Sequence, residues 1–176
     1  MNSFWLHWLT LLLFSLLPTT KIFRLKRRML RLAGARVADK VRIASSARFQ
    51  LIGSLQPGSD TWTGHEVLVV VGYAPVEIGA RCDIAPQVTI VTGTHRIDPD
   101  GPRVAGEGYS LPIRIGDGCW IGVGATVLGG TVIGEHSIVA AGAVVRGQFP
   151  ARSLIGGIPA RVIRSIDDLH AQGERA

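Results

Sequence analysis

Among the side chains of this sequence that can move a proton or attack near neutral pH, His95 is placed most like a reactive group. It closes a T-G-T-H stretch at the point where a regular pattern breaks off. A positioned imidazole can take the proton of an attacking hydroxyl and hand it to a departing thiolate. Transfer of an acyl group from a thioester then needs one more thing, a backbone N–H or similar donor at the developing oxyanion. The other histidines, His7, His65, His136 and His170, are scattered, and no two of the set lie within about five residues of one another, so short-interval zinc ligation is not expected and no metal is assigned. Cys82 and Cys119 form no C-x-x-C pair and no disulfide framework, which fits a reducing compartment.

The elements that must carry His95 are written in a six-residue ladder. Ile115, Ile121, Val127, Ile133, Val139 and Val145 recur at every sixth position, and the small residues Cys119, Ala125, Thr131, Ser137 and Ala143 stand two places before the last five. Side chains at i and i−2 of a strand share a face, so both sets point inward. Gly116, Gly122 and Gly134 follow the aliphatic residue and are expected to take the turn conformation. The register recurs upstream in Ile78, Ile84 and Ile90, and more weakly in Val37, Ile43 and Phe49. Such units, each one short strand and a corner, make a triangular coil with parallel strands stacked about 4.8 Å apart. Cys82 and Cys119 fall in the small inward slot, which marks them as packing residues rather than nucleophiles. Hairpin-built sandwiches or barrels have no need of a strict six-residue register.

After Ile90 the next aliphatic rung is delayed to Ile115, and a polar, turn-rich excursion, residues 96–112, fills the gap. Long excursions on rigid scaffolds are where function collects. With 176 residues, 47% hydrophobic and 18% charged, the chain suits a single domain with a substantial core. The expected organisation is an N-terminal apolar and basic helical segment (1–34), a repeat domain (35–164) and a short tail (165–176). The net charge of +6 would suit nucleic acid, but the densest basic cluster is local, Lys21, Arg24, Lys26, Arg27, Arg28 and Arg31, so no nucleic-acid partner is expected. That cluster follows the apolar run Phe4–Leu17, which holds Trp5 and Trp8 and is short for a membrane span. Two roles remain open for the segment, a peripheral membrane contact or a cap over the open end of the repeat. Positive charge after the apolar run, with no cleavage site, points to a cytoplasmic domain.

The stretch P-V-E-I-G-A-R-C-D-I-A-P-Q-V-T-I-V-T-G-T-H, together with Y-S-L-P-I-R-I-G-D-G-C-W-I-G-V-G-A-T-V-L-G-G-T-V-I-G and G-G-I-P-A-R-V-I-R, resembles the hexapeptide-repeat acyltransferases. The likeness is greatest to galactoside, maltose and colanic-acid-type O-acetyltransferases and runs from about Val37 to Arg164. It implies an all-β, left-handed parallel β-helix, acetyl-CoA as acyl donor, a saccharide hydroxyl as acceptor, such as one of a surface polysaccharide or glycolipid, and a homotrimer with its clefts between neighbouring prisms. On the matching positions the base falls on His95 and the oxyanion-side backbone N–H on Val123, with Trp120 and Gly122 beside it. Coenzyme A contacts fall on Ala141 and Arg146, and Arg161 and Arg164 reach its phosphorylated end, guanidinium being suited to phosphate. Acceptor contacts fall on His65, Glu66 and Tyr73. Two of these depart from the galactoside pattern, His65 from an asparagine and Tyr73 from an acidic residue, so the acceptor does not carry over. Alternation along a strand would let only one of His65 and Glu66 face the cleft. Three other readings are weighed: an amine acceptor served by the same base, a γ-class carbonic anhydrase prism with zinc, and a non-catalytic scaffold that needs neither T-G-T-H nor the excursion.

Overall fold

The computed structural model describes residues 12–171, with side chains through Asp168. Phe4 to Leu11 of the apolar run, Trp5 and Trp8 included, lie outside the described residues, as does the tail beyond residue 171. The chain winds as a left-handed parallel β-helix with three flat faces. Face one stacks strands 42–43, 62–63, 83–84, 120–121, 138–139 and 153–157, face two stacks 48–51, 68–71, 89–91, 126–128 and 144–145, and face three stacks 55–57, 76–78, 113–115, 132–133 and 148–149. The register is that of the sequence ladder, with Ile121 against Ile84 and Val139, and Val127 against Ile90 and Val145. Each inward column is fully buried, and each large aliphatic side chain in it contributes roughly 1.5–3 kcal/mol relative to exposure.

The structure adds one coil that the ladder did not show. Pro57, Thr63 and Val69 occupy inward positions between the coil of Ile43 and that of Ile84. A proline and a threonine in aliphatic slots hid the rung, although the run Leu68–Val71 beside it is strand-like.

The glycines work differently from the expectation. Gly116, Gly122 and Gly134 are not at positive φ; left-handed residues stand three places after the aliphatic one, at Gly118, Gly124, Gly130 and Gly142, and also at Glu66, Gln87 and His136. What excludes a side chain at Gly122 is the next coil. A Cβ there would lie 2.6 Å from the Ala141 nitrogen and 2.7 Å from the Val139 oxygen. The turn itself is made later in the corner, where side chains can project outward.

The helix α1 (Phe23–Leu32) covers the open end of the first coil. Three members of the basic cluster reach back to coil carbonyls to do this. Lys26 is buried and its Nζ donates to the carbonyls of Thr19 (2.6 Å) and Ile43 (2.9 Å). Arg27 donates to the Val41 carbonyl and Arg31 to that of Val37. Phe14, also buried, meets Phe49 edge to face. α1 thus covers this end of the coil, and Lys21, Arg24, Arg28 and Arg31 are exposed. Among the described residues no helix is long and apolar enough to cross a membrane. At the other end, strand 160–165 turns back antiparallel to 153–157, and α2 (Ile166–Ala171) follows.

Candidate active site

The excursion is not an irregular loop starting at residue 96. It is an antiparallel hairpin of strands 93–97 and 105–110, pairing Gly93 with Ser110 and His95 with Gly108, so His95 belongs to its first strand. The hairpin leaves the prism at the corner between faces two and three. Its base is tied to the coil above: the Gly72 N–H donates to Thr92 Oγ1 (2.8 Å) and the Tyr73 N–H to Ser110 Oγ (3.2 Å). His95 Nδ1 lies 2.9 Å from the Gly106 carbonyl oxygen. A carbonyl only accepts, so this contact assigns the ring proton to Nδ1 and leaves the Nε2 lone pair able to accept one. His95 and Tyr73 line one open cleft of about 320 Å³ together with Gly93, Gly108 and Tyr109.

A second set of expected residues gathers along a different edge, the corner between faces one and two. Going down that edge the coils present Ser46, then His65 and Glu66, then Gln87, Val123 and Ala141, joined by Gln87 N–H to the His65 carbonyl (2.8 Å), Gly124 N–H to the Pro86 carbonyl (3.0 Å) and Gly142 N–H to the Val123 carbonyl (2.9 Å). His65 and Glu66 lie in the corner, not on a strand, so alternation does not separate them and both are exposed. His65 Nδ1 reaches back to Ser46 Oγ (3.4 Å), and Glu66 Oε2 accepts from Gln87 Nε2 (3.1 Å) on the next coil. The Val123 N–H donates to no group among the described residues, and Val123 is 47% exposed. An unpaired N–H on a rigid corner is able to donate to a developing oxyanion. Trp120, half exposed on face one, and Gly122 adjoin it.

Within one chain, then, the expected site residues divide. His95, Tyr73 and, two coils further, Arg146 share one edge; His65, Glu66, Val123 and Ala141 share another. Arg161 and Arg164 project from strand 160–165 at the C-terminal end of face one, and Arg161 Nη1 donates to its own Ala160 carbonyl (2.8 Å). Ser46, Gln87 and the Gly106 carbonyl were not singled out in the sequence. Nothing in the composition marks them; a coil-by-coil alignment of the corners would have found the first two.

Both cysteines are buried, donating from Sγ to the carbonyls of Gly116 (Cys82, 3.1 Å) and Gly134 (Cys119, 3.2 Å). The neighbouring Cys82 thiol and burial both push the Cys119 thiol well above the usual range, so it stays a packing group. His65, His95 and His136 occupy three different corners, and among the described residues no three His, Cys, Asp or Glu side chains are grouped to hold a metal.

A triangular coil of six-residue rungs interrupted by a histidine-bearing hairpin is the architecture of hexapeptide-repeat proteins. The sequence matches the family model for bacterial transferase hexapeptide (six repeats) over residues 112–147. It is 31% identical over 147 residues to the putative colanic acid biosynthesis acetyltransferase WcaF of Escherichia coli, covering 81% of this chain and 76% of that one. It is 32% identical to the galactoside O-acetyltransferase of the same organism, over 76% of this chain and 65% of the relative. Among solved structures, a hexapeptide-repeat acetyltransferase of Vibrio cholerae complexed with acetyl coenzyme A superposes with a TM-score of 0.67 at 27% identity, covering 89% of this chain and 85% of that one. The chain belongs to the hexapeptide-repeat transferase family. It spans about half to two thirds of the length of several curated relatives it matches.

Proposed function

We propose that the protein is an acetyl-CoA-dependent O-acetyltransferase acting on a saccharide hydroxyl, with each active site shared between two chains of a homotrimer. The observation that carries this reading is the pinned imidazole: Nδ1 lies 2.9 Å from the Gly106 carbonyl oxygen, and His95 lines an open cleft. His95 takes the acceptor proton through Nε2 as the hydroxyl oxygen attacks the acetyl carbonyl. The C–O bond forms, the C–S bond breaks, and the imidazolium returns its proton to the leaving thiolate. Val123 of the adjoining chain holds the oxyanion through its free N–H. No covalent acyl-enzyme is needed.

Acetyl-CoA fits as donor because Val123 and Ala141 form a continuous corner, and Arg146, Arg161 and Arg164 lie further along the prism, where its phosphates would reach. Support also comes from the named activities of the relatives and from the acetyl coenzyme A held by the Vibrio cholerae structure. His65, Glu66 and Tyr73 would contact the saccharide. The outward side of the cap interleaves Lys21, Arg24 and Arg28 with exposed Leu25 and Leu32, which suits peripheral contact with an anionic cytoplasmic leaflet. Screening labelled acetyl-CoA against sugar nucleotides, free saccharides and lipid-linked saccharides tests the reading. Coenzyme A binding without transfer to any acceptor would refute it.

A further inference from the structure

An amphiphilic cleft of about 440 Å³ lies where the N-terminal segment crosses the first coil. Its apolar lining is Leu12, Phe14, Ala47 and Phe49; its polar lining is more numerous and includes Ser46, Arg48 and Glu66, although apolar surface predominates. Ser46 and Glu66 belong to the corner that also carries His65 and, two coils further, Val123. At about 4.8 Å per coil, Val123 is roughly 10 Å from the level of His65 and Glu66, a distance a short saccharide spans. From there the apolar lining leads away from the reaction centre and toward the cap. The N-terminal segment and cap also expose Leu13, Leu16, Ile22 and Leu25, together with the cations Lys21, Arg24 and Arg28.

A free sugar gives no reason for the aliphatic and aromatic part of this cleft behind its own binding corner. We infer that the acceptor is a saccharide carrying an aliphatic chain: the sugar hydroxyls meet Ser46, His65 and Glu66, and the first methylenes of the chain lie on Phe14, Ala47 and Phe49 before leaving past Leu12 toward a bilayer. This rests on the acetyl-transfer reading above and names its acceptor class. The polar corner supplies orientation, and the apolar floor supplies affinity that a chainless sugar does not use. The cationic outer surface complements an anionic membrane in which such an acceptor resides.

The test compares methyl and octyl glycosides of the same sugars, both below micellar concentration, with acetyl-CoA as donor and the full chain as enzyme. Three or four buried methylenes at about fourfold each give an octyl advantage of roughly a hundredfold in kcat/KM. Leu12→Asp places a charge at the mouth of the cleft, at a residue already half exposed, so the fold tolerates it. It should cut the octyl-to-methyl ratio at least tenfold, and using the ratio cancels any loss of folded enzyme. Equal kcat/KM for the two acceptors, with transfer intact, overturns the chain site and leaves the acetyltransferase reading standing. That is also the result expected if residues 1–11 or a second copy of the chain fill the cleft. No transfer to any acceptor overturns both.

Discussion

Pairing two inactive variants in one oligomer tests whether the site is shared between chains. His95→Ala removes the base, and Val123→Pro removes the backbone donor. Since the Val123 N–H donates to no described residue, proline there breaks no bond between coils, and Gly122 before it accepts the extended backbone that proline demands. Each change alone should lower kcat/KM by about 10²–10⁴. In a single chain the two positions are separated by the width of face two, about 15–20 Å at 3.3 Å per residue, too far to serve one acetyl group. In a cyclic trimer each site draws His95 from one chain and Val123 from the next. Every mixed trimer, whether two to one or one to two, keeps one intact site in three, so isolated mixed trimers should regain about a third of the wild-type activity. Co-expression with two affinity tags, isolation of mixed trimers, and release of coenzyme A thiol followed with a disulfide reagent would measure it. If mixed trimers stay as inactive as either parent, or if a monomeric fraction turns over, the shared site is wrong.

His95→Ala should lower kcat by about 10²–10⁴ while coenzyme A affinity, read by calorimetry, stays within about twofold. Ile121→Ala, at a fully buried rung, should lower unfolding free energy by about 2–5 kcal/mol in a denaturant titration. Gly122→Ala should destabilise by about 1–3 kcal/mol through its clash with the next coil, whereas Gly142→Ala, with nothing within 4 Å of the added carbon, should cost only the strain of its positive φ, about 1 kcal/mol. Arg24→Ala with Arg28→Ala should weaken sedimentation with phosphatidylglycerol vesicles roughly thirtyfold, at about 1 kcal/mol per cation.

The ladder from Ile115 to Val145 was legible because inward packing tolerates few residue types, and a fixed unit length repeats that demand every six positions. Where packing relaxed, so did the signal. Pro57 and Thr63 still point inward, but their chemistry does not announce it. The two kinds of glycine could not be told apart by spacing, since close approach and positive φ both favour glycine and only coordinates reveal which applies. His95 stood out because the register stopped beside it. That its Nδ1 would be held by Gly106 depended on the excursion pairing as a hairpin, which its polar, glycine-rich sequence did not indicate. The expected site residues were grouped by likeness to a family, and only the winding of the coils shows that they line two edges.

The buried ammonium of Lys26 bears on how the protein is made. Its Nζ joins Thr19 to Ile43, so it can close as soon as about twenty further residues have left the ribosome, before any later coil exists. Each new rung then finds a finished surface to settle on, and the nascent chain can lay down its columns in the order of synthesis, never exposing more than one unfinished edge.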